Sequence, residues 1–298
     1  MMFRKMLLSL VFFSTVMPIF AQLAMVLTPN QQTYMQYEAI YMYLRIRNDS
    51  GRPVVFGQNK QLQAKLFFEV SDINGRVLPE LSGKSIILTQ GKVINPGQIG
   101  DIVLKFSSFC KLHQKGIYRI HAYISHPLFK DQFKSNDVRI DISSGIPIWK
   151  RTIGVPDGKI NAAGDTVSHD SLRTYTIRKI IDGKGQFYYC TLEDKDKLYQ
   201  VFRMGPAIGI DKPACLVDMS GALHILINIA PKIYKYYKLD ITGELLEADK
   251  YYKITKTRPA LLKSKDGKIF VSGGAPALPN VDFLVREKSF KTALEDAG

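Results

Sequence analysis

The chain has 298 residues, of which 46% are hydrophobic and 23% are charged. This is the composition of an ordinary globular protein and it excludes general disorder. The 41 Lys and Arg against 27 Asp and Glu leave a net charge of +14, which favours solubility and non-specific attraction to anions. The three cysteines cannot form a disulfide framework, and a chain of this length needs none to fold.

Residues 1–21 have the layout of a secretory signal peptide. Arg4 and Lys5 precede the uncharged stretch Met6–Phe20, and Ala21 is a small residue at the expected cleavage position. The apolar stretch is shorter than the roughly 20 residues of a membrane-spanning helix, and an uncleaved anchor is the alternative. No later stretch is apolar enough to cross a bilayer. The sequence therefore predicts a secreted or periplasmic protein without a transmembrane segment after signal removal.

Residues 22–144 show the period-two alternation of half-buried β-strands. Ile40, Met42, Leu44 and Ile46 alternate with polar or aromatic residues, which places them on one buried face. Several short strands with turn signals between them predict a β-sandwich. The strand candidates are residues 39–47, 66–70, 86–88, 102–106, 117–124 and 138–142.

The order of these features resembles the immunoglobulin-like domains of secreted bacterial proteins. A strand that ends at Asn48, the turn Asn95–Gly97 and the strand start Gly116–Ile120 carry the resemblance over about residues 24–143. It implies that Tyr118 is a tyrosine corner, with a buried ring and a hydroxyl bonded to nearby backbone. It implies no catalytic residue.

A boundary between two all-β domains is predicted at Ser143–Pro147, where small polar residues precede a proline. Residues 145–279 would form the second domain and residues 280–298 a tail, in which Arg286–Leu294 forms either a short helix or a frayed end. Trp149 follows the boundary directly. We expect it to fill an interdomain contact, with a ligand platform as the alternative.

The second half repeats a weak unit. Gly185, Gly221 and Gly267 each precede a β-rich strand at intervals of about 40 residues, a period typical of propeller blades. The stretch resembles the blades of secreted β-propeller proteins, but it provides only about three units, below the usual four to eight. It therefore predicts a repeat-β domain that is either a partial propeller-like array or an open sheet of hairpins.

Two runs interleave aromatic rings with lysines on this second domain. Rings stack on sugars and lysines neutralise acidic groups, so exposed strands of this kind would bind an acidic polysaccharide. Cross-strand packing of tyrosines is the alternative. On the first strand alternation would leave a phenol and an ammonium on whichever face is exposed. The candidate ligand-binding residues are Tyr234, Lys235, Tyr236, Tyr237, Lys238, Tyr251, Tyr252 and Lys253.

Catalytic motifs are absent from the sequence: there is no nucleophile elbow, phosphate-binding loop, zinc-protease helix or Cys-x-x-Cys pair. His121 and His126 would lie on opposite faces of one strand, so no metal site is expected, and no cofactor. His224 on an apolar strand predicts a core histidine. The acids and bases left for an enzyme are Asp165, His169, Asp170, Asp218 and Asp240.

An oxidising compartment makes a disulfide between Cys190 and Cys215 a candidate, with buried free thiols as the alternative. Together these features predict an exported, non-enzymatic binding or scaffold protein that contacts a cell-envelope or extracellular polymer or protein. The partner would be an acidic polysaccharide or an envelope protein, and not nucleic acid. The alternative is a glycan- or peptide-processing enzyme with its site in residues 145–279.

Overall fold

The computed structural model describes residues 23–57, 62–81, 85–88, 92–160, 166–183, 185–208 and 211–284. In these residues the chain is all-β, with 22 strands and one three-residue 3-10 helix, Phe106–Ser108. No helix among them is long and apolar enough to cross a membrane. The signal peptide predicted for residues 1–21, the helix predicted over Arg286–Leu294 and the candidate Asp165 lie outside the described residues.

Eleven strands precede Ser144 and form a two-layer sandwich. One sheet has the order β1-β3-β8; the other has the order β2-β11-β9-β5-β6 with β10 added to β9, and β4 pairs with β7. The strands are β1 Leu23–Pro29, β2 Thr33–Met35, β3 Tyr41–Asn48, β4 Val54–Phe56, β5 Ala64–Asp72, β6 Ile86–Leu88, β7 Lys92–Ile94, β8 Ile99–Lys105, β9 Gly116–Ser125, β10 Phe133–Lys134 and β11 Val138–Ser143.

The core between these two sheets confirms the alternation in the sequence. Met42 and Leu44 of β3 are fully buried, as are Phe68 of β5 and Ile120 of β9 from the opposite sheet. The tyrosine corner is also present. Tyr118 is buried, and its hydroxyl donates a hydrogen bond of 3.0 Å to the carbonyl of Gln114, four residues upstream. The all-β sandwich expected for this half is therefore confirmed.

Eleven further strands follow Ser144 and form open antiparallel sheets built from consecutive hairpins. Their orders are β12-β13-β14-β15, β16-β17-β18-β19-β22 and β20-β21, and no closed propeller forms in the described residues. The strands are β12 Ile146–Ile160, β13 Thr166–Asp182, β14 Gly185–Glu193, β15 Leu198–Pro206, β16 Ala214–Val217, β17 Leu223–Ala230, β18 Ile233–Leu239, β19 Leu245–Lys253, β20 Ala260–Lys263, β21 Ile269–Ser272 and β22 Ala275–Pro276.

The three sheets of this half stack as three layers. Tyr175 and Cys190 of the first sheet share a core with Ile225 and Tyr237 of the second. On its other face the second sheet packs against the hairpin β20-β21, in a core that contains residues of β17, β18, β20 and β21. Because β18 lies inside the middle layer, both of its faces are covered.

Two of the glycine turns in this half, those that end at Gly221 and Gly243, are Asx-type turns. Asp218 accepts hydrogen bonds from the amides of Ser220 and Ala222, and Asp240 closes the β18–β19 turn in the same way. Each turn ends at a glycine with positive φ, +82° at Gly221 and +90° at Gly243. Glycine adopts this conformation without steric cost, which explains why the unit recurs.

A small cluster joins the two halves. Met35 of β2 packs with Ile180 of β13 and Tyr189 of β14. Trp149 is half-buried in the core of the second half instead. The expectation that Trp149 fills the interdomain contact is therefore wrong, because its side chain faces the stacked sheets and not the sandwich.

Candidate functional site

The first tyrosine run does not form a surface. Tyr234, Tyr236 and Tyr237 are all buried, and only Lys235 and Lys238 of this strand are partly accessible. Tyr234 and Tyr236 face the core shared with β20-β21, and Tyr237 faces the core shared with the first sheet. The expectation that one face of β18 is exposed is therefore wrong. The first sheet covers one face of this strand, and the hairpin β20-β21 covers the other.

The second run lies beside the first and is half-buried. Lys235 places its Nζ 4.9 Å from the ring centre of Tyr237 and 5.3 Å from that of Tyr251, and the Tyr251 ring lies 5.0 Å from Phe283. Lys253 forms an ion pair of 2.6 Å with Asp282. Within the described residues, these tyrosine rings and lysines therefore contact one another or neighbouring side chains of the protein. Ligand binding by the two runs stays a prediction.

A cleft of about 680 Å³ lies elsewhere on this half. One wall is the consecutive segment 151–154 of β12, and another is the turn region 217–221 between β16 and β17. Ile241 of the β18–β19 turn and Lys263 of β20 complete it. The lining residues are spread between positions 151 and 263, so no local sequence pattern indicates the site.

The cleft carries positive charge that is not neutralised by ion pairs. Arg151 and Lys263 are both exposed, and neither forms an ion pair with any described residue. Met219, which is 80% exposed, adds an apolar rim. Cations that lack a protein partner are available to an acidic ligand.

One carboxylate, Asp218, also borders the cleft, but the protein uses both of its oxygens. Oδ1 accepts hydrogen bonds from Ser220 and from the amide of Ala222, and Oδ2 lies 3.0 Å from Nε2 of His224. Burial works to raise the pKa of Asp218, but the hydrogen bonds from His224, Ser220 and Ala222 outweigh it and hold the pKa at about 2. Asp218 is therefore a turn anchor that stays ionised.

His224 connects this turn to the sheet interior. It is buried, its Nε2 donates to Asp218, and its Nδ1 lies 2.6 Å from the hydroxyl of Tyr236, from which it accepts. Both ring nitrogens are engaged, so neither is available as a general base toward the cleft. The prediction of a satisfied core histidine is confirmed.

Of the remaining acids and bases, Asp240 is the one whose side chain the structure describes. Asp240 anchors its own turn, where hydrogen bonds from Thr242 and Glu244 outweigh the effect of burial and lower the pKa of the carboxyl. A glycosidase needs one carboxyl whose pKa is raised. His169 and Asp170 were expected in a polar loop; their backbone instead belongs to β13, opposite Asp157 and Pro156.

Cys190 and Cys215 lie in one core and are not bonded to each other in the structure. Cys190 is buried, and Cys215 is half-buried against the same core. Burial raises the pKa of Cys215 to about 12, so the reactive thiolate is scarce at neutral pH. The Cys190–Cys215 disulfide stays a prediction. Among the described residues, no group of three His, Cys, Asp or Glu side chains is arranged to hold a metal ion.

Comparisons with known proteins identify no family. No family model and no curated protein matches the sequence. A family 123 glycoside hydrolase from Clostridium perfringens aligns over 41% of this chain and 27% of its own, at 10% identity and a TM-score of 0.26. The sporulation control protein Spo0M from Bacillus subtilis aligns over 61% and 91%, at 7% identity and a TM-score of 0.28. Red sea bream transglutaminase aligns over 77% and 29%, at 9% identity and a TM-score of 0.27. At these TM-scores the likeness carries no argument about family or activity.

Proposed function

We propose that this protein is an exported, non-enzymatic binding protein that holds an acidic partner in the cleft beside β12. The observation that carries the proposal is the pair Arg151 and Lys263, two exposed cations that line one cleft from two different strands and pair with no described carboxylate. The leader-like residues 1–21 support export.

Binding is favoured over catalysis by the state of the neighbouring polar groups. Asp218 and His224 have their hydrogen-bonding atoms engaged within the protein, so the cleft offers cations and backbone but no available base. A site of this kind attracts carboxylate, sulfate or phosphate groups and does no chemistry on them. The two candidate partners from the sequence, an acidic polysaccharide and an envelope protein, both carry such groups.

The test is a titration of the protein with two polyanions, polyglutamate and polygalacturonate, at low salt. The double variant Arg151→Ala/Lys263→Ala should weaken binding of at least one of them by about tenfold or more, which corresponds to about 1.4 kcal/mol. Binding by the wild type should also weaken as salt screens the charges.

The matched control removes the same two residue types from the sandwich half. Lys65→Ala/Arg119→Ala lowers the net charge equally at exposed positions of β5 and β9. It should leave binding within about twofold, well below the tenfold step of 1.4 kcal/mol. Equal losses in both double variants would mean that only net charge matters. That result, or no polyanion binding at all, overturns the proposal.

A further inference from the structure

The cleft runs along the hydrogen-bonding edge of β12. Side chains of successive strand residues point to opposite faces of a sheet. Four consecutive residues, 151–154, nevertheless line this one cleft. A surface reached by four successive positions is the edge of the strand, where the main-chain N–H and C=O groups point outward. The ligand in the cleft therefore meets backbone as well as side chains.

That edge is unpaired in the described part of the chain. β12 pairs with β13 on one side only and is the outermost strand of its sheet. No backbone hydrogen bond outside that pairing involves residues 146–160. Pro147 and Pro156, which lack an N–H, enclose the segment 148–155. Beyond the bulge between Pro147 and Trp149, alternate residues of this segment turn their backbone N–H and C=O away from β13.

The charges beside the edge favour one kind of occupant. Lys150 and Arg151 are exposed on β12, and Lys263 of β20 lines the same cleft as Arg151. A second copy of this chain, paired edge to edge about Lys150–Arg151, would bring like charges opposite each other, which is destabilising. An acidic strand would place its carboxylates against these cations.

We infer that the acidic partner is an extended protein segment that adds to β12 as a further antiparallel or parallel strand. This inference rests on the proposed function of the cleft and names the class of its ligand. Main-chain hydrogen bonds to the segment 148–155 hold the peptide, while Arg151 and Lys263 select acidic side chains. The exposed Met219 packs against an apolar residue of the added strand.

The test uses an eight-residue peptide of alternating threonine and glutamate in two N-methylated forms. One form is methylated on the odd-numbered amides and the other on the even-numbered amides. In an added strand only one of these two sets faces β12. The affinity of one form should therefore be lower than that of the unmodified peptide by a factor of about ten or more, a loss of about 1.4 kcal/mol. The other form should bind nearly as well as the unmodified peptide.

The outcomes separate this inference from the proposed function. If neither the peptide nor the polyanions bind in an Arg151- and Lys263-dependent way, the proposed function fails and the inference falls with it. If polygalacturonate binds through Arg151 and Lys263 but the peptide does not, the cleft binds a polysaccharide and only the inference is overturned. Equal effects of both methylated forms also overturn it, as does a homodimer of the free protein that competes with the peptide.

Discussion

Arg203 of β15 donates a hydrogen bond to the side-chain oxygen of Gln31, and this contact joins the two halves of the molecule. Gln31 in turn donates to Glu38 over 2.7 Å, and the amide of Met35 donates to the other oxygen of the same carboxylate over 2.9 Å. Tyr189 from β14 hydrogen-bonds to Glu38 as well. A carboxylate of the sandwich is thus enclosed by groups from both halves.

Removing the charge of Glu38 should make the junction insensitive to pH. Burial raises the pKa of Glu38 above its ordinary value of 4.5, because desolvation outweighs the hydrogen bonds and the charge of Arg203. Protonated Glu38 therefore stabilises the folded protein. This stabilisation is fully present below pH 4.5 and is lost as the pH rises through the raised pKa of the folded state. The free energy of unfolding of the wild type should therefore fall relative to Glu38→Gln as pH rises, measured by urea denaturation.

The control for this experiment is Glu244→Gln, at an exposed turn position. Its side chain is exposed, so the substitution breaks no buried contact and the variant should follow the wild type. If the wild type and Glu38→Gln run parallel from acid to neutral pH, Glu38 is solvated and the junction is open in solution.

Truncation of Tyr237 should destabilise the fold without touching the cleft. Tyr237→Ala removes a buried ring from the core between the stacked sheets, and such truncations cost about 3–5 kcal/mol. Tyr251→Ala, at a half-buried position of β19, should cost clearly less. Urea denaturation measures both losses, and the folded fraction of each variant should retain polyglutamate binding. Equal losses of stability would contradict the packing of the second sheet on the first.

The sandwich was more predictable from sequence than the second half, for a physical reason. In β3 one face is buried and the other faces water, so Met42 and Leu44 stand out against Tyr43 and Arg45. In β18 both faces are buried. The sequence nevertheless suggests surface positions for its tyrosines, because lysines lie next to them. One face packs against β20-β21, which lies later in the chain, and no local sequence pattern predicts that contact.

The cleft was harder still to foresee. Arg151 belongs to a strand with no unusual spacing, and Lys263 lies in a short hairpin more than a hundred residues later. Of the acids and bases found from sequence, Asp218 borders the cleft in the described part of the chain, and there it anchors a turn. Residue type identified a candidate, but its hydrogen bonds decided its role.

The anchoring role of Asp218 predicts an acid-sensitive turn. The pKa of Asp218 is held at about 2, below its ordinary value of 3.8, by His224, Ser220 and Ala222. Ionised Asp218 therefore stabilises the folded protein. This stabilisation is present above pH 3.8 and is lost as the pH falls toward about 2. The wild type should therefore lose stability relative to Asp218→Asn over that acidic range, as followed by thermal melts. The exposed Asp249→Asn should instead track the wild type, and a similar response from both would show that the turn is not specifically anchored.

Two glycines offer a matched test of how the cleft is built. Gly75 and Gly221 both end Asx-type turns and both have φ of +82°. The amide of Gly75 donates to the carbonyl of Asp72 over 3.0 Å, and that of Gly221 to the carbonyl of Asp218 over 3.1 Å. An alanine at either position must adopt the same left-handed conformation, which costs about 1–2 kcal/mol.

The surroundings of the two glycines differ. A Cβ at Gly75 meets nothing within 4 Å, whereas a Cβ at Gly221 comes within 2.7 Å of Ile241 and 3.5 Å of Ile153, both of which line the cleft. Gly75→Ala should therefore lower the free energy of unfolding only by the cost of the left-handed backbone conformation. Gly221→Ala should lose about 1–3 kcal/mol more from overpacking and should also weaken polyglutamate binding, because the wall beside β12 shifts. Urea denaturation and titration of both variants measure these effects. If the two variants lose equal stability and bind equally well, the turn does not pack on Ile241 and the cleft wall is not formed as described.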